Sequence, residues 1–254
     1  MKVTFLGTGT SQGVPVIGCD CLVCSSLDFR DKRTRSAIHI EVDGKSFVID
    51  TGPDFRTQML REKINSLDAV IFTHEHKDHT AGLDDIRPYN FSQKKDMPIY
   101  GAKKVLHQIK KEFSYIFEEV KYPGVPSVIP HEITNVPFIA EGINIIPIEV
   151  MHYRLPVFGF RFNDFTYITD AKQIEEKELE KIKGSKTLVL NALQKNHHIS
   201  HFTLEEAIQM VNIIQPEMAY FTHISHKLGN HQEIESSLPS HIRLAYDGLK
   251  LKID

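Results

Sequence analysis

The sequence predicts an α/β fold: a four-layer αββα sandwich of two packed mixed β-sheets flanked by helices. Three observations predict it. Short apolar strands alternate with amphipathic helices along the chain. A proline-bearing stretch, residues 121–141 with Pro123, Pro126, Pro130 and Pro137, divides the chain into halves of similar pattern. Residue types that bind metals stand at strand ends in both halves, so both halves feed one site. The 254 residues are therefore read as one domain, 1–254. At this length roughly 70–75% of the unfolded surface can be buried without disulfides.

Taken in order, residues 3–6 and 36–42 read as strands, with His39 alternating inside the second. Residues 46–50 form a short buried strand with Phe47, Val48 and Ile49 consecutive, ending in the turn Asp50-Thr51-Gly52-Pro53. A helix is expected over 55–63. Residues 69–73, Ala-Val-Ile-Phe-Thr, form another buried strand that delivers a histidine cluster at its end. Over 103–117, Val105, Leu106, Ile109, Phe113, Ile116 and Phe117 fall on one helical face. Residues 121–141 read as an irregular, mostly extended connection.

The second half repeats the logic. Strands are expected at 143–150, 157–162 and 165–169, then a helix at 173–183 and a strand at 187–191. A helix over 203–214 opens on Thr203-Leu204-Glu205-Glu206, the pattern of a capping box. The strand 218–222 again ends in a histidine. A short helix near 230–237 and a closing hairpin, 242–246 with 249–253 about the turn Asp247-Gly248, complete the chain.

Composition bounds the function classes. Charged residues make up 25% and the net charge is −3, which gives no reason to expect avid binding to nucleic acid or acidic membranes. No stretch reaches the roughly 20 apolar residues that span a bilayer, and the N-terminal residues lack the apolar core of a signal peptide. A cytoplasmic location is the expectation. The three cysteines all fall in one short window, Cys19, Cys21 and Cys24. An odd number so spaced makes a poor disulfide framework and suits thiolate ligation of a metal.

The chemistry concentrates at His74-Glu75-His76-Lys77-Asp78-His79. Histidines at i and i+2 reach the same side of an extended segment, and Asp78 and His79 reach a second point as the chain turns into a helix. Imidazole with carboxylate suits zinc, manganese or iron. Two metals about 3.5–4 Å apart can hold a hydroxide nucleophile and neutralise a developing oxyanion. A lone histidine is more often solvated than ligating; four ligand types in six residues at a strand end are not. His152, Asp170 and His223 also end strands. Each alone would read as a satisfied polar residue, and their shared placement makes them candidate ligands.

These motifs resemble the metallo-β-lactamase superfamily, whose hallmark His-x-His-x-Asp-His stands at residues 74–79. Leu6-Gly7-Thr8-Gly9-Thr10 and Ile49-Asp50-Thr51-Gly52 resemble the opening motifs of its phosphodiesterase branch. The resemblance covers nearly the whole chain and implies the metallo-β-lactamase fold. It implies that His74, His76 and His152 hold one metal, that Asp78, His79 and His223 hold a second, and that Asp170 bridges them. Asp78 is also expected to hydrogen-bond the nucleophile. His198-Ile199-Ser200-His201-Phe202-Thr203 resembles the extra histidine motif of phosphodiesterase members, with His201 in the place of the catalytic histidine; His197 and His198 read as bystanders.

The cysteines, paired with Thr222-His223-Ile224-Ser225-His226, resemble the phosphoribosyl 1,2-cyclic phosphodiesterase branch of carbon–phosphorus lyase pathways. By that resemblance Cys19, Cys21, Cys24 and His226 hold one structural Zn2+, and the active site holds two divalent metals, Zn2+ or Mn2+. The activity implied is hydrolysis of a small cyclic phosphate ester through a two-metal-bound hydroxide. The alternatives are a tRNA 3′-end endonuclease-like nuclease, thioester or lactam hydrolysis, and a non-catalytic accessory protein of the pyrroloquinoline-quinone type. No glycine- and proline-rich arm for gripping tRNA is present, and the ligand set looks complete, which favours catalysis on a small phosphodiester. No membrane and no polymeric nucleic acid are expected as partners, and a homodimer is left open.

Overall fold

The computed structural model describes residues 1–120 and 122–253. The first half lays down β1 (Lys2–Gly7), β2 (Ala37–Val42), β3 (Lys45–Ile49), α1 (Phe55–Glu62), β4 (Ala69–Ile71), α2 (Lys77–Thr80), α3 (Arg87–Gln93), β5 (Met97–Ala102), α4 (Lys103–Glu112) and β6 (Val128–Ile133). The second half lays down β7 (Phe138–Ala140), β8 (Ile143–His152), β9 (Leu155–Phe162), β10 (Phe165–Tyr167), β11 (Gln173–Ile174), α5 (Glu176–Ile182), β12 (Thr187–Asn191), α6 (Leu204–Ile214), β13 (Met218–Thr222), α7 (His231–Ser237), β14 (Ile242–Leu244) and β15 (Lys250–Lys252).

Two mixed sheets result, flanked by helices in the metallo-β-lactamase fold. One runs β15-β1-β2-β3-β4-β5-β6 and the other β11-β8-β9-β10-β12-β13-β14, with β7 paired to β8. Each begins antiparallel and ends in three parallel pairings: β3 to β6 in the first, β10 to β14 in the second.

The consecutive apolar runs are explained by burial on both faces. Phe47, Ile49, Ala69 and Ile71 point between the sheets, where they meet Phe160, Phe162, Tyr167 and Val189. Val48, Val70 and Phe72 point the other way, against Phe55, Met59, Val105 and Ile109 of α1 and α4. Leu188 and Leu190 likewise leave Val189 behind and pack on Ala207, Val211 and Ile234 of α6 and α7. Parallel pairing sets the C-terminal ends of these strands side by side along one edge of the sandwich, where the site forms.

Four expectations are corrected. Residues 121–141 are not simply a connection. β6 and β7 form there, β6 as a parallel edge on β5, where Pro130 can lack its N–H without breaking an interior ladder. Lys121 itself lies outside the described residues. Residues 173–183 do not form one helix: Gln173 and Ile174 pair with Met151 and Val150 as β11, and α5 starts only at Glu176.

The closing hairpin does not form. β14 adds to β13 in one sheet and β15 to β1 in the other, so residues 245–249 cross between them. The Asp247 carboxylate drives this. A turn still forms at Asp247-Gly248, with Leu249 N–H donating to the Tyr246 carbonyl, but the carboxylate accepts from the backbone N–H and hydroxyl of both Thr8 and Thr34, at 2.6–2.9 Å, and ties the turn to the first sheet. The amphipathic stretch 103–117 breaks after Glu112 into a short 3-10 turn, Ser114–Ile116, which keeps Phe113 and Ile116 buried.

Candidate metal centre

Four strand ends build the site. The strand β4 runs through Thr73 into His74 and His76, α2 carries Asp78 and His79, and His152 is the last residue of β8. Asp170 follows β10 and His223 follows β13. Asp50, Asp170 and His223 all hold left-handed backbone, φ +67°, +56° and +56°. That conformation costs a non-glycine residue on the order of 1 kcal/mol and turns the side chain out of the strand. It is held by neighbours. The Asn191 side chain brackets Ala171, accepting from its N–H at 2.7 Å and donating to its carbonyl at 3.0 Å. Ile224 donates to the Thr8 carbonyl and accepts from Thr10 N–H, fixing the turn at His223.

The predicted ligands assemble into two neighbouring clusters. In the first, ligand atoms of His74, His76 and His152 all lie within 4.8 Å of one another; in the second, so do those of Asp78, His79, Asp170 and His223. Asp170 also forms a group with His152 and His201, so it joins the two.

The hydrogen bonds behind these residues set which nitrogen faces inward. Thr73 Oγ1 donates to Asp50 at 2.8 Å, so it accepts from His74 Nδ1–H at 3.0 Å. The Ser200 carbonyl accepts from His152 Nδ1–H at 2.9 Å. The Asp50 carboxylate accepts from His79 Nδ1–H at 2.7 Å. In each neutral ring the Nε2 lone pair is then left for the site.

The inward nitrogens crowd against one another and against carboxylates. His76 Nδ1 is only 3.0 Å from His74 Nε2. His79 Nε2 is buried without a hydrogen bond, although Asp78 and Asp170 oxygens lie 3.1 and 3.3 Å away. Buried lone pairs and carboxylates facing one another at these distances fit a divalent cation in each cluster. Burial opposes charge on His79, but Asp78, Asp170 and Asp50 push its imidazole well up. Burial likewise opposes charge on Asp170, yet His223 and His79 hold it well below the usual carboxylate range.

His201 stands beside both clusters, its ring centroid 4.6 Å from that of His152 and 4.9 Å from that of His223. Its Nδ1 is buried without a hydrogen bond, 3.8 Å from Asp170 Oδ1. The loop is held from both sides. Phe202 N–H donates to the Ala171 carbonyl, and Thr203 caps α6 through the predicted box, reciprocally with Glu206 at 3.2 and 2.8 Å. Burial brings the His201 imidazole down to about 3 against the pull of Asp170.

The cysteines form a separate group with His226. Cys19, Cys21 and Cys24 Sγ lie 3.3, 3.5 and 3.5 Å from His226 Nδ1. About 3.5 Å is the edge of a tetrahedron with metal–sulfur and metal–nitrogen bonds of about 2.3 and 2.0 Å, so the donor set fits a closed four-coordinate ion.

All predicted site residues thus meet in four groups, the one with His201 sharing His152 and Asp170 with the two histidine clusters. Sequence reasoning missed their supports: Asp50, Thr73, Asn191 and the Ser200 carbonyl. Asp50 and Asn191 carried a usable signal, since each follows or ends a buried strand as the ligands do. Gly52 is needed for contact, because a Cβ there would meet the Asp78 carbonyl at 2.2 Å.

Comparison with known proteins agrees with this arrangement. A family model described as a β-lactamase superfamily domain matches residues 45–224. A Porphyromonas gingivalis protein named octanoyltransferase is 40% identical over 257 residues, which cover 100% of this chain and 52% of that protein. The chain spans about half the length of the curated relatives it matches. The crystal structure of a diphosphatase from the PhnP family is 40% identical, with a TM-score of 0.93, covering 100% of this chain and 98% of that one. Zn(2+)-bound PqqB from Methylobacterium extorquens shares the fold at 19% identity, with a TM-score of 0.81 and full coverage of both chains.

Proposed function

The chain belongs to the metallo-β-lactamase superfamily, and from that premise we propose that it is a metal-dependent hydrolase of small phosphoric diesters. The class meant is substrates whose reacting phosphorus bears two bridging oxygens, which covers cyclic phosphate esters and disubstituted diphosphates. The observation that carries this is His201, buried and unpartnered at Nδ1, beside two complete ligand clusters. A thioester's thiolate departs without a proton, so thioester hydrolysis has little use for that extra imidazole. Likeness to the PhnP-family diphosphatase supports the same class. The name octanoyltransferase belongs to a protein twice as long and assigns nothing to the shared half.

His74, His76 and His152 would hold one divalent metal, Asp78, His79 and His223 a second, and Asp170 would face both. Zn2+ and Mn2+ both suit the donors. When bound, such metals supply Lewis acidity to the reacting phosphoryl group. The chain's own residues do the rest. Asp50, Thr73 and Ser200 orient the histidines. The Asp78 carboxylate accepts a hydrogen bond from the attacking water. The His201 imidazole is neutral in the free site; a bound anion opposes the effect of burial and favours its protonated form, which can bind a phosphoryl oxygen or give its proton to the departing oxygen. One catalytic domain acting in the cytoplasm on a small substrate, as a monomer or homodimer, is the form proposed; no described helix is long and apolar enough to cross a membrane.

The test is a substrate screen with added Mn2+ or Zn2+: bis(p-nitrophenyl) phosphate, a cyclic ribose phosphate, a disubstituted diphosphate, a thioester and a lactam. Turnover of the phosphorus substrates is expected. Turnover confined to the thioester or lactam would reject the proposal.

The cysteine group is proposed as a structural zinc site that clamps the N-terminal loop to the segment bearing His223. Cys21→Ser is expected to release one tightly held zinc per chain and lower the thermal midpoint by several degrees, because such sites contribute on the order of 10 kcal/mol to local folding. Activity should fall as a consequence, through His223. Retention of zinc, midpoint and rate together would reject the clamp.

A further inference from the structure

The loop between β12 and α6 carries three histidines, and the mechanism above uses one. His198 is half-buried beside His201, with ring centroids 5.1 Å apart. His201 also packs against His152 and His223, so His198 adjoins the same histidine as two of the candidate ligands. The Nδ1 of His198 lies 3.3 Å from both the backbone N–H and the hydroxyl of Ser200. A backbone N–H can only donate, so Nδ1 is the acceptor and the proton of the neutral ring sits on Nε2. Burial, and then the nearness of His152, Lys172, His197 and Lys227, disfavours a second proton. Nε2–H makes no hydrogen bond among the described residues. A neutral donor of defined tautomer therefore stands beside the histidine assigned to the leaving group.

We propose that His198 is a substrate-orienting residue whose Nε2–H hydrogen-bonds an oxygen on the leaving-group side of the substrate. The inference rests on the phosphodiester reading and narrows it. The preferred substrate carries a hydroxyl or phosphate oxygen next to the scissile bond, on the group that departs. A site built around such a donor discriminates against a ligand without the acceptor, because the donor is then left unpaired when the substrate covers it.

His198 also holds Ser200, whose carbonyl orients His152, so the test must separate contact with substrate from support of the loop. The measurement is kcat and KM of wild type, His198→Ala and His198→Gln on a cyclic ribose phosphate and on bis(p-nitrophenyl) phosphate, with metal content of each protein. For His198→Ala, kcat/KM on the ribose ester should fall about 10- to 100-fold, the scale of one hydrogen bond to a charged or polar partner. On the aryl ester it should fall less than about 3-fold, with metal content unchanged. His198→Gln should recover most of the loss, since its amide can accept from Ser200 and donate outward. Equal losses on both esters, or loss of metal, would assign His198 to loop support and overturn the proposal; so would an unchanged ribose ester rate. Wild-type protein inactive on both esters would overturn this inference; inactive on a disubstituted diphosphate as well, it would overturn the phosphodiester reading itself.

Discussion

Asp170→Asn is expected to reduce phosphodiester turnover at least about 10³-fold, because removing one charge there withdraws several kcal/mol of electrostatic stabilisation. The substitution keeps the shape and removes only the charge. Asp170 is 2% exposed, and its Oδ2 lies 3.3 Å from both His79 Nε2 and His223 Nδ1. It is the member common to the Asp78–His79–His223 group and the His152–His201 group. A neutral amide there should therefore weaken both proposed metals, and elemental analysis should find about one active-site metal fewer per chain. The ion proposed for the cysteine group, which uses other residues, should remain. A variant with full metal content and full rate would remove Asp170 from the site.

His201→Ala is expected to keep both active-site metals and lose about 10²–10⁴ in rate, the usual scale for a positioned acid or base. The imidazole is stacked on His223 and near His152, but its Nδ1 makes no hydrogen bond. Its removal therefore breaks no hydrogen bond to a ligand among the described residues. The size of the loss should depend on the leaving group. An alkoxide needs a proton as it departs; p-nitrophenolate hardly does, and a phosphate leaving group needs less than an alkoxide. A loss that shrinks along that order marks proton donation, whereas a uniform loss marks binding of a phosphoryl oxygen. Metal loss in the variant would make His201 a ligand, and full activity on every diester would remove it from the chemistry.

Much of this site could be read before any coordinates because its residues sit at strand ends, where an apolar run stops at a polar residue. The runs ending near Thr73, Val150, Thr169 and Thr222 each deliver a ligand, and Thr203 with Glu206 announces the helix that follows His201. What the sequence hides is partner choice over long separations. Asp247-Gly248 satisfies every local rule for a hairpin turn, yet its carboxylate serves Thr8 and Thr34, more than 200 residues away. Gln173 and Ile174 lie next to a helix but have the open edge of β8 beside them. Asp50 read as a turn residue because its three donors come from Thr73 and His79, on the next strand and helix. Local propensity carries no information about any of these encounters.

The crossing at residues 245–249 also sets an order of events in folding. β1 has β15 as one of its two neighbours, and the donors of Thr8 wait for a carboxylate 239 residues later. During translation the first sheet therefore emerges with one edge bare and the turn after β1 unsupported. Closing so long a loop adds little to the equilibrium cost, because that cost grows only with the logarithm of length. Its effect is on rate, since a topology rich in distant pairings folds slowly. While the chain is incomplete, the bare edge of β1 is open to pairing with other chains, a hazard that ends only when β15 arrives.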